Sequence, residues 1–187
     1  LRNLAFPLNW EGLVEYLGLP IVLKDAYGGG WRDVYVCHSL DELLANYNNS
    51  GQLTMIAQEF IKFEQFIRCI CIGQEHILPI HYDPKERKYH VDPEYLSPAL
   101  RDRIVTDSQA LVQALGYDMN SIEFAVRDGI PYAIDFMNPA PDFDIHSLTP
   151  TYFEWAVQRM ADLAIKLAKK PRTAPGPRSW NRFLAGR

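Results

Sequence analysis

Apolar residues fall into short alternating runs separated by glycine, proline and asparagine, with stretches of helical spacing between them. Trp10, Leu13, Val14 and Leu17 share a helical face behind Asn9, a capping residue type, and Gly18 with Pro20 closes that segment. A strand from Ile21 to Lys24 enters the loop Asp25-Ala26-Tyr27-Gly28-Gly29-Gly30-Trp31-Arg32 and returns as a strand from Asp33 to Cys37, a hairpin with a long glycine tip. Ser39 to Glu42 spells the capping box Ser-x-x-Glu of a helix to about Tyr47, ended by Asn48-Asn49-Ser50-Gly51. A strand from Leu53 to Phe60 completes a first lobe, residues 1–61.

From residue 62 the pattern is mostly antiparallel. Strands Gln65 to Ile72 and His76 to Tyr82 flank a Gly73-Gln74 turn, and a polar crossing from Asp83 to Lys88 leads to a short strand reaching Val91. Ser97-Pro98 opens a helix with the stripe Leu100, Ile104, Leu111 and Leu115, ended by Gly116. A last helix, about Thr151 to Lys170, presents Phe153, Val157, Met160, Ala164 and Leu167 inward, with its lysines at the favourable C-terminal end. The second lobe is thus 62–170, and the proline- and arginine-rich 171–187 reads as a tail or linker.

Between these two helices lies a hairpin of SIEFAV and YAIDFMNPAPD carrying Glu123, Asp135 and Asn138. A two-residue loop, Asp128-Gly129, would set Asp135 among Ile122, Phe124 and Val126. A three-residue loop, Arg127-Asp128-Gly129 with Gly129 left-handed, pairs Val126 with Ile130 instead. It gathers Ile122, Phe124, Val126, Ile130, Tyr132, Ile134 and Phe136 on one apolar face, and the pattern selects it. Glu123 and Asp135 then share the opposite face as diagonal neighbours, roughly 7 to 8 Å apart. Two carboxylates and an amide form a hard-oxygen set for magnesium. The competing reading is a solvated face with Arg127 neutralising one acid.

The 187 residues suffice for one core or two small lobes, and 48% hydrophobic content marks a globular chain. Nineteen basic against 23 acidic residues, net -4, give no footprint for nucleic acid or an anionic membrane. No apolar run is long enough for a membrane span and no leader opens the chain, so a cytoplasmic protein is expected. Cys37, Cys69 and Cys71 lack disulfide or metal spacing and read as buried thiols. The chain starts at Leu1 without Met and reads as a piece of a longer polypeptide; a homo-oligomer is left open.

Other residues carry candidate chemistry. Lys24 beside Gly28, Gly29 and Gly30 fits a phosphate loop whose backbone N–H groups approach oxygens, although a mobile hairpin tip reads the same way. Gln58, Glu59, Phe60 and Ile61 mix polar edges with apolar walls as an adenine requires, or they are a plain strand end. Arg68, inside an apolar strand, needs an anion: Glu64, another carboxylate, or a phosphate. His81, His90 and His146 show no ligand spacing and read as structural.

In order, Leu-Gly-Leu-Pro-Ile-Val-Leu-Lys (17 to 24), the glycine loop, Val-Tyr-Val-Cys-His-Ser-Leu-Asp-Glu-Leu (34 to 43), Gln-Glu-Phe-Ile and the acidic hairpin resemble the ATP-grasp superfamily. Glu-Phe-Ile-Lys and Ile-Arg-Cys-Ile-Cys-Ile-Gly (67 to 73) look most like its glutathione synthetase and ribosomal-protein glutamate ligase branch. The resemblance implies an α+β fold, two lobes each with a mainly antiparallel sheet and helices, and a nucleotide cleft between them. It implies that Lys24 binds ATP phosphates under a flap of Gly28, Gly29 and Gly30, and that Gln58 to Ile61 form the adenine hinge. Arg68 would steady the transferred phosphoryl group, Glu64 would stand in for the ribose-binding acid that falls near Phe66, and Glu123, Asp135 and Asn138 would hold one or two Mg2+ ions. The implied reaction is carboxylate–amine ligation through an acyl phosphate, with small-molecule or peptide substrates; Arg87, Lys88, Asp142 and Asp144 are candidates for lining their site. A kinase on the same fold and a degenerate nucleotide-binding module are the alternatives. Asp135 and Asn138 stand one residue further apart than in the family motif, which calls for a bulge or a different acid, and the family's preceding N-terminal domain is missing.

Overall fold

The computed structural model describes residues 7–170, and the expected tail at 171–187 lies outside the described residues. The chain divides into two compact units, one ending at Lys62 and the other beginning at Phe63.

The first unit runs α1 (Trp10–Leu17), β1 (Ile21–Asp25), β2 (Val34–Cys37), α2 (Leu40–Asn49) and β3 (Met55–Glu59). Its sheet has the order β2-β1-β3, antiparallel throughout. Local chemistry sets the helix starts: the Asn9 side chain accepts from Gly12 N at 2.9 Å, and Ser39 Oγ from Glu42 N at 3.2 Å. Glu42 Oε2 accepts from His38 N at 2.7 Å, so the capping box reaches one residue further back than its simplest form. Ile21, Leu23, Cys37 and Leu43 form the core, with Trp10, Leu13, Val14 and Leu17 of α1 packed on it.

The second unit comprises β4 (Gln65–Ile72), β5 (His76–Asp83), β6 (Lys88–His90), α3 (Pro98–Leu115), β7 (Met119–Arg127), β8 (Ile130–Asn138) and α4 (Ile145–Lys169). The sheet order β6-β5-β4-β7-β8 is antiparallel, with β4 at its centre. Alternation along β4 feeds two cores. Ile67, Cys69 and Cys71 pack with Ile104 and Val112 of α3, while Phe66, Ile70 and Ile72 pack with Leu148, Ala156 and Leu163 of α4. Each aliphatic side chain fully removed from water there contributes about 1.5–3 kcal/mol. No helix among the described residues is long and apolar enough to cross a membrane.

Two expectations are corrected here, the inward stripe of the last helix and the hairpin loop. The helix expected from about Thr151 is present, and a short helical turn from Ile145 precedes it across the non-helical Thr149 (φ 68°, ψ 153°) and Pro150. A residue preceding proline is driven out of the helical region, so the Pro150 boundary signal was real but marks a kink. Asp144 caps the extra turn, accepting from His146 N at 2.7 Å. The inward stripe is also rotated: Ala156 and Leu163 are buried, whereas Val157 is 50% exposed and Ala164 faces out.

The second correction is the hairpin loop. Asp128 (φ 53°) and Gly129 (φ 71°) form a two-residue turn, pairing Arg127 with Ile130 and Val126 with Pro131. Two successive left-handed residues of the type Asp-Gly match the strand twist. The face of Ile122, Phe124 and Val126 is completed by Ala133 and Phe136, while Ile134 packs on the α4 side and Ile130 is exposed.

A Cβ at Gly129 meets nothing within 4 Å, so Gly129→Ala carries only a conformational cost, expected at about 1 kcal/mol in a urea titration. Burial pushes the Cys69 thiol up to about 12, with the Ser108 hydroxyl and Arg101 opposing. A thiol reagent at pH 8 is therefore expected to leave Cys69 unmodified in the folded chain and to react after unfolding.

Candidate functional site

The β7–β8 hairpin positions the expected metal ligands by breaking its own ladder twice. Continued from the turn without interruption, the register would set Asp135 opposite Ile122, on the apolar α3 side. Register shifts occur on both sides of Glu123, and they produce the pairs Glu123↔Asp135 and Ser121↔Asn138. The extra residue at Ile134 turns Asp135 to the face of Glu123, directly opposite it instead of diagonal. A second extra residue, at Phe136–Met137, returns Asn138 to that face although it stands an odd number of positions from Asp135.

Asn120, fully buried on β7, holds the irregular segment. Its Nδ2 donates to the Phe136 carbonyl at 2.9 Å and its Oδ1 accepts from Asn138 N at 2.9 Å. One side-chain amide thus serves both a carbonyl and an N–H of the broken stretch. Asn138 Nδ2 donates to Ser121 Oγ at 3.1 Å, which leaves its carbonyl oxygen as the atom a cation would use. Sequence reasoning passed over Asn120; the available signal was a strong hydrogen-bonding side chain inside a buried strand.

Arg68 on β4 stands in register with Glu123. Its Nε is 3.5 Å from Glu123 Oε1 and its Nη2 3.5 Å from Ser121 Oγ, with both charged side chains nearly buried. Its guanidinium carbon also lies 5.3 Å from the centre of the Tyr82 ring and 5.7 Å from that of Tyr89. Burial lowers its pKa, but Tyr89, Glu123, Tyr82 and Asp135 more than offset this and hold it above the usual value. Burial pushes the phenols of Tyr82 and Tyr89 up. Neither tyrosine was singled out from sequence, because their apolar spacing reads as core. Asp142 reaches the same electrostatic neighbourhood: Ser147 Oγ donates to it at 2.6 Å and Asp144 N at 3.0 Å, and these bonds, with help from Arg68, keep its carboxyl below the usual range.

The anion beside Arg68 is Glu123, not Glu64. Glu64 accepts from Asp128 N at 3.4 Å, next to the hairpin turn. Phe66, where the family's ribose-binding acid falls, is buried against Phe63 and Tyr82.

In the first unit, Lys24 pairs with Val34 and Ile56, and Gln58 pairs with Val22, so alternation sets Lys24 and Gln58 on one sheet face. Val36 and Ile56 on that face are 42% and 40% exposed. Glu59 ends β3, Phe60 is half-buried and Ile61 is buried. Gly28, Gly29 and Gly30 follow β1; Gly30 is left-handed (φ 65°), and a Cβ at Gly29 or Gly30 would meet nothing. Arg68, Glu123, Asp135 and Asn138 therefore come together in the second unit, and Lys24, the glycines and Gln58 to Ile61 belong to the first. The donor set of two carboxylates and an amide carbonyl fits Mg2+, which takes oxygen ligands.

No family model matches the chain. Human mitochondrial pyruvate carboxylase is 31% identical over 137 residues, 63% of this chain and 12% of that protein. The D-alanine–D-alanine ligase of Ralstonia nicotianae is 27% identical over 191 residues, 85% of this chain and 56% of the ligase. Among solved structures, the D-alanine–D-alanine ligase of Coxiella burnetii has a TM-score of 0.72 at 16% identity, covering 89% of this chain and 51% of that one. The ligase of Bacillus anthracis complexed with ATP has 0.68 at 24%, covering 90% and 57%. The chain spans about half the length of these ligases. The likeness supports the ATP-grasp architecture and gives no specific support to the glutathione synthetase branch.

Asn120→Ala removes both bonds of the buried amide and is expected to destabilise the chain by about 2–4 kcal/mol, read as a lower urea midpoint.

Proposed function

We propose that the chain is the nucleotide-binding portion of an Mg-ATP-dependent carboxylate–amine ligase of the ATP-grasp superfamily, a reading supported by its likeness to D-alanine ligases and a biotin carboxylase. The observation that carries this reading is the pair of register shifts that set Glu123, Asp135 and Asn138 on one face beside Arg68. A hairpin with a solvated face has no need of two ladder breaks and a buried amide to hold them.

In this reading Lys24 and the backbone of Gly28, Gly29 and Gly30 bind the ATP phosphates. Gln58 to Ile61 receive the adenine. Glu123, Asp135 and Asn138 hold Mg2+, which would neutralise phosphate charge when bound. A substrate carboxylate attacks the γ-phosphorus; the bond to the β–γ bridging oxygen breaks, ADP leaves, and the acyl phosphate is captured by an amine with release of phosphate. Arg68, beside Glu123, would meet the charge that grows on the transferred group, where a fixed positive charge contributes most. Among the structural neighbours, a D-alanine–D-alanine ligase is complexed with ATP and a biotin carboxylase domain with MgADP and bicarbonate, and an acid as phosphate acceptor is in keeping with both.

Calorimetry on the full polypeptide is expected to show Mg-ATP binding, weakened at least about tenfold in Lys24→Ala, about 1.4 kcal/mol. Asp135→Asn should lower turnover about 10²–10³-fold. ADP and phosphate should appear in equal amounts only when acid and amine are both present; a stable phosphorylated product formed without amine would overturn the ligase reading in favour of a kinase.

A further inference from the structure

The β5–β6 hairpin carries a group of side chains that the ligase reading does not use. Asp83 ends β5, Glu86 lies in the connecting turn and His90 ends β6, and one potential ligand atom from each lies within 4.8 Å of the others. Three donors bound to one ion at about 2.0–2.2 Å stand roughly 3–4 Å apart, so small side-chain rotations close the set.

The local structure prepares this arrangement. Asp83 Oδ1 accepts from Lys85 N at 2.8 Å and from Glu86 N at 3.0 Å, which fixes the turn and leaves Oδ2 for another partner. Arg87 in the left-handed region (φ 56°) reverses the chain towards Lys88. Glu86 is exposed, and its ion pair with Lys88 at 3.5 Å is of the kind that contributes little and exchanges readily. His90 is paired with His81 across the strands, ring centres 4.7 Å apart, and His81 lies flat on Tyr95 at 3.6 Å. The imidazole of His90 is thus backed by two stacked rings and held at the strand end.

We propose that Asp83, Glu86 and His90 form a divalent metal site of the transition-metal class, separate from the Mg2+ ligands on β7 and β8. The imidazole decides the class: magnesium favours an all-oxygen set, whereas one nitrogen and two carboxylate oxygens suit zinc or manganese, with water filling the remaining positions. Lys85, Arg87 and Lys88 on the same hairpin oppose a cation and keep the site weaker than a closed structural zinc site. Its physical effect is a cross-link. β6 is a three-residue edge strand, and its Tyr89, paired with Tyr82, faces Arg68. A metal shared by Asp83 and His90 ties β6 to β5 and steadies that tyrosine pair.

The test is metal binding by the untagged, chelator-stripped full chain, with ZnCl2, MnCl2 and MgCl2 titrated separately in a calorimeter and the bound metal counted after dialysis. One equivalent of Zn2+ is expected, with binding weakened at least tenfold in both Glu86→Gln and His90→Ala and unchanged in Asp135→Asn. Glu86→Gln substitutes an exposed turn residue, so its result stands if His90→Ala fails to fold. Zn2+ binding that Glu86→Gln leaves intact, binding lost only in Asp135→Asn, or no binding at all overturns the proposal; each of these leaves the Mg-ATP reading untouched.

Discussion

The second unit depends on a conflict between two periodicities. A strand turns alternate side chains to opposite faces, so residues an odd number of positions apart cannot share a face in a regular ladder. Asp135 and Asn138 break that rule, and Asp135 must also leave the apolar side that an Asp-Gly turn would give it. The register shifts around Glu123 resolve both conflicts. They are stable because the buried Asn120 amide bonds the Phe136 carbonyl and the Asn138 N–H. Without that amide, unmade bonds at this buried stretch would cost about 1–3 kcal/mol each.

The same face has to accommodate a charge beside a core. Phe66, Ile70 and Ile72 alternate with Arg68 along β4, so the guanidinium stands among the side chains that meet α4. A buried charge needs compensation, and here it is distributed: Glu123 at 3.5 Å, the Ser121 hydroxyl, and the electron-rich faces of Tyr82 and Tyr89. The tyrosines come from adjacent strands, β5 and β6, whose pairing aligns them. The alternation that builds the hydrophobic core thereby also builds the electrostatic neighbourhood of the site.

Features governed by neighbouring residues were legible in the sequence. Asn9, Ser39 and Ser97 cap the helices as their types require, Gly116 ends α3 left-handed, and β4 spans the stretch read from its apolar run. The three cysteines are buried and free, as their spacing indicated. What failed was decided elsewhere in the chain. The hairpin pattern pointed to a three-residue loop because it assumed an unbroken ladder; a two-residue turn followed by a bulge satisfies the same demand for a polar face, and periodicity alone cannot tell them apart. Pro150 hid the first turn of α4, since a proline boundary and a proline kink look alike in sequence. The proximity of Asp83, Glu86 and His90 was not legible in the sequence, because strand pairing and a turn bring them together, not ligand spacing. The partner of Arg68 followed from register, which set it against Glu123 across β4 and β7.

Glu123 is where these constraints meet, because one carboxylate faces two cationic demands. A charge-assisted pair at optimal contact lies at about 2.7–2.9 Å, whereas Arg68 Nε stands 3.5 Å away. At that distance the pair keeps its Coulomb attraction but little of its directional bonding. Arg68 is correspondingly under-bonded, its buried Nε making no hydrogen bond. An anion arriving at the guanidinium would bond it more fully, and Mg2+ between Glu123 and Asp135 would replace the charge that Glu123 now shares. Each event makes the other more favourable: the cation weakens the hold of Glu123 on Arg68, and the anion supplies Arg68 with the partner it then lacks. In the proposed Mg-ATP reading, metal and phosphoryl group are therefore expected to bind this face cooperatively, a coupling that originates in the 3.5 Å pair of Arg68 and Glu123.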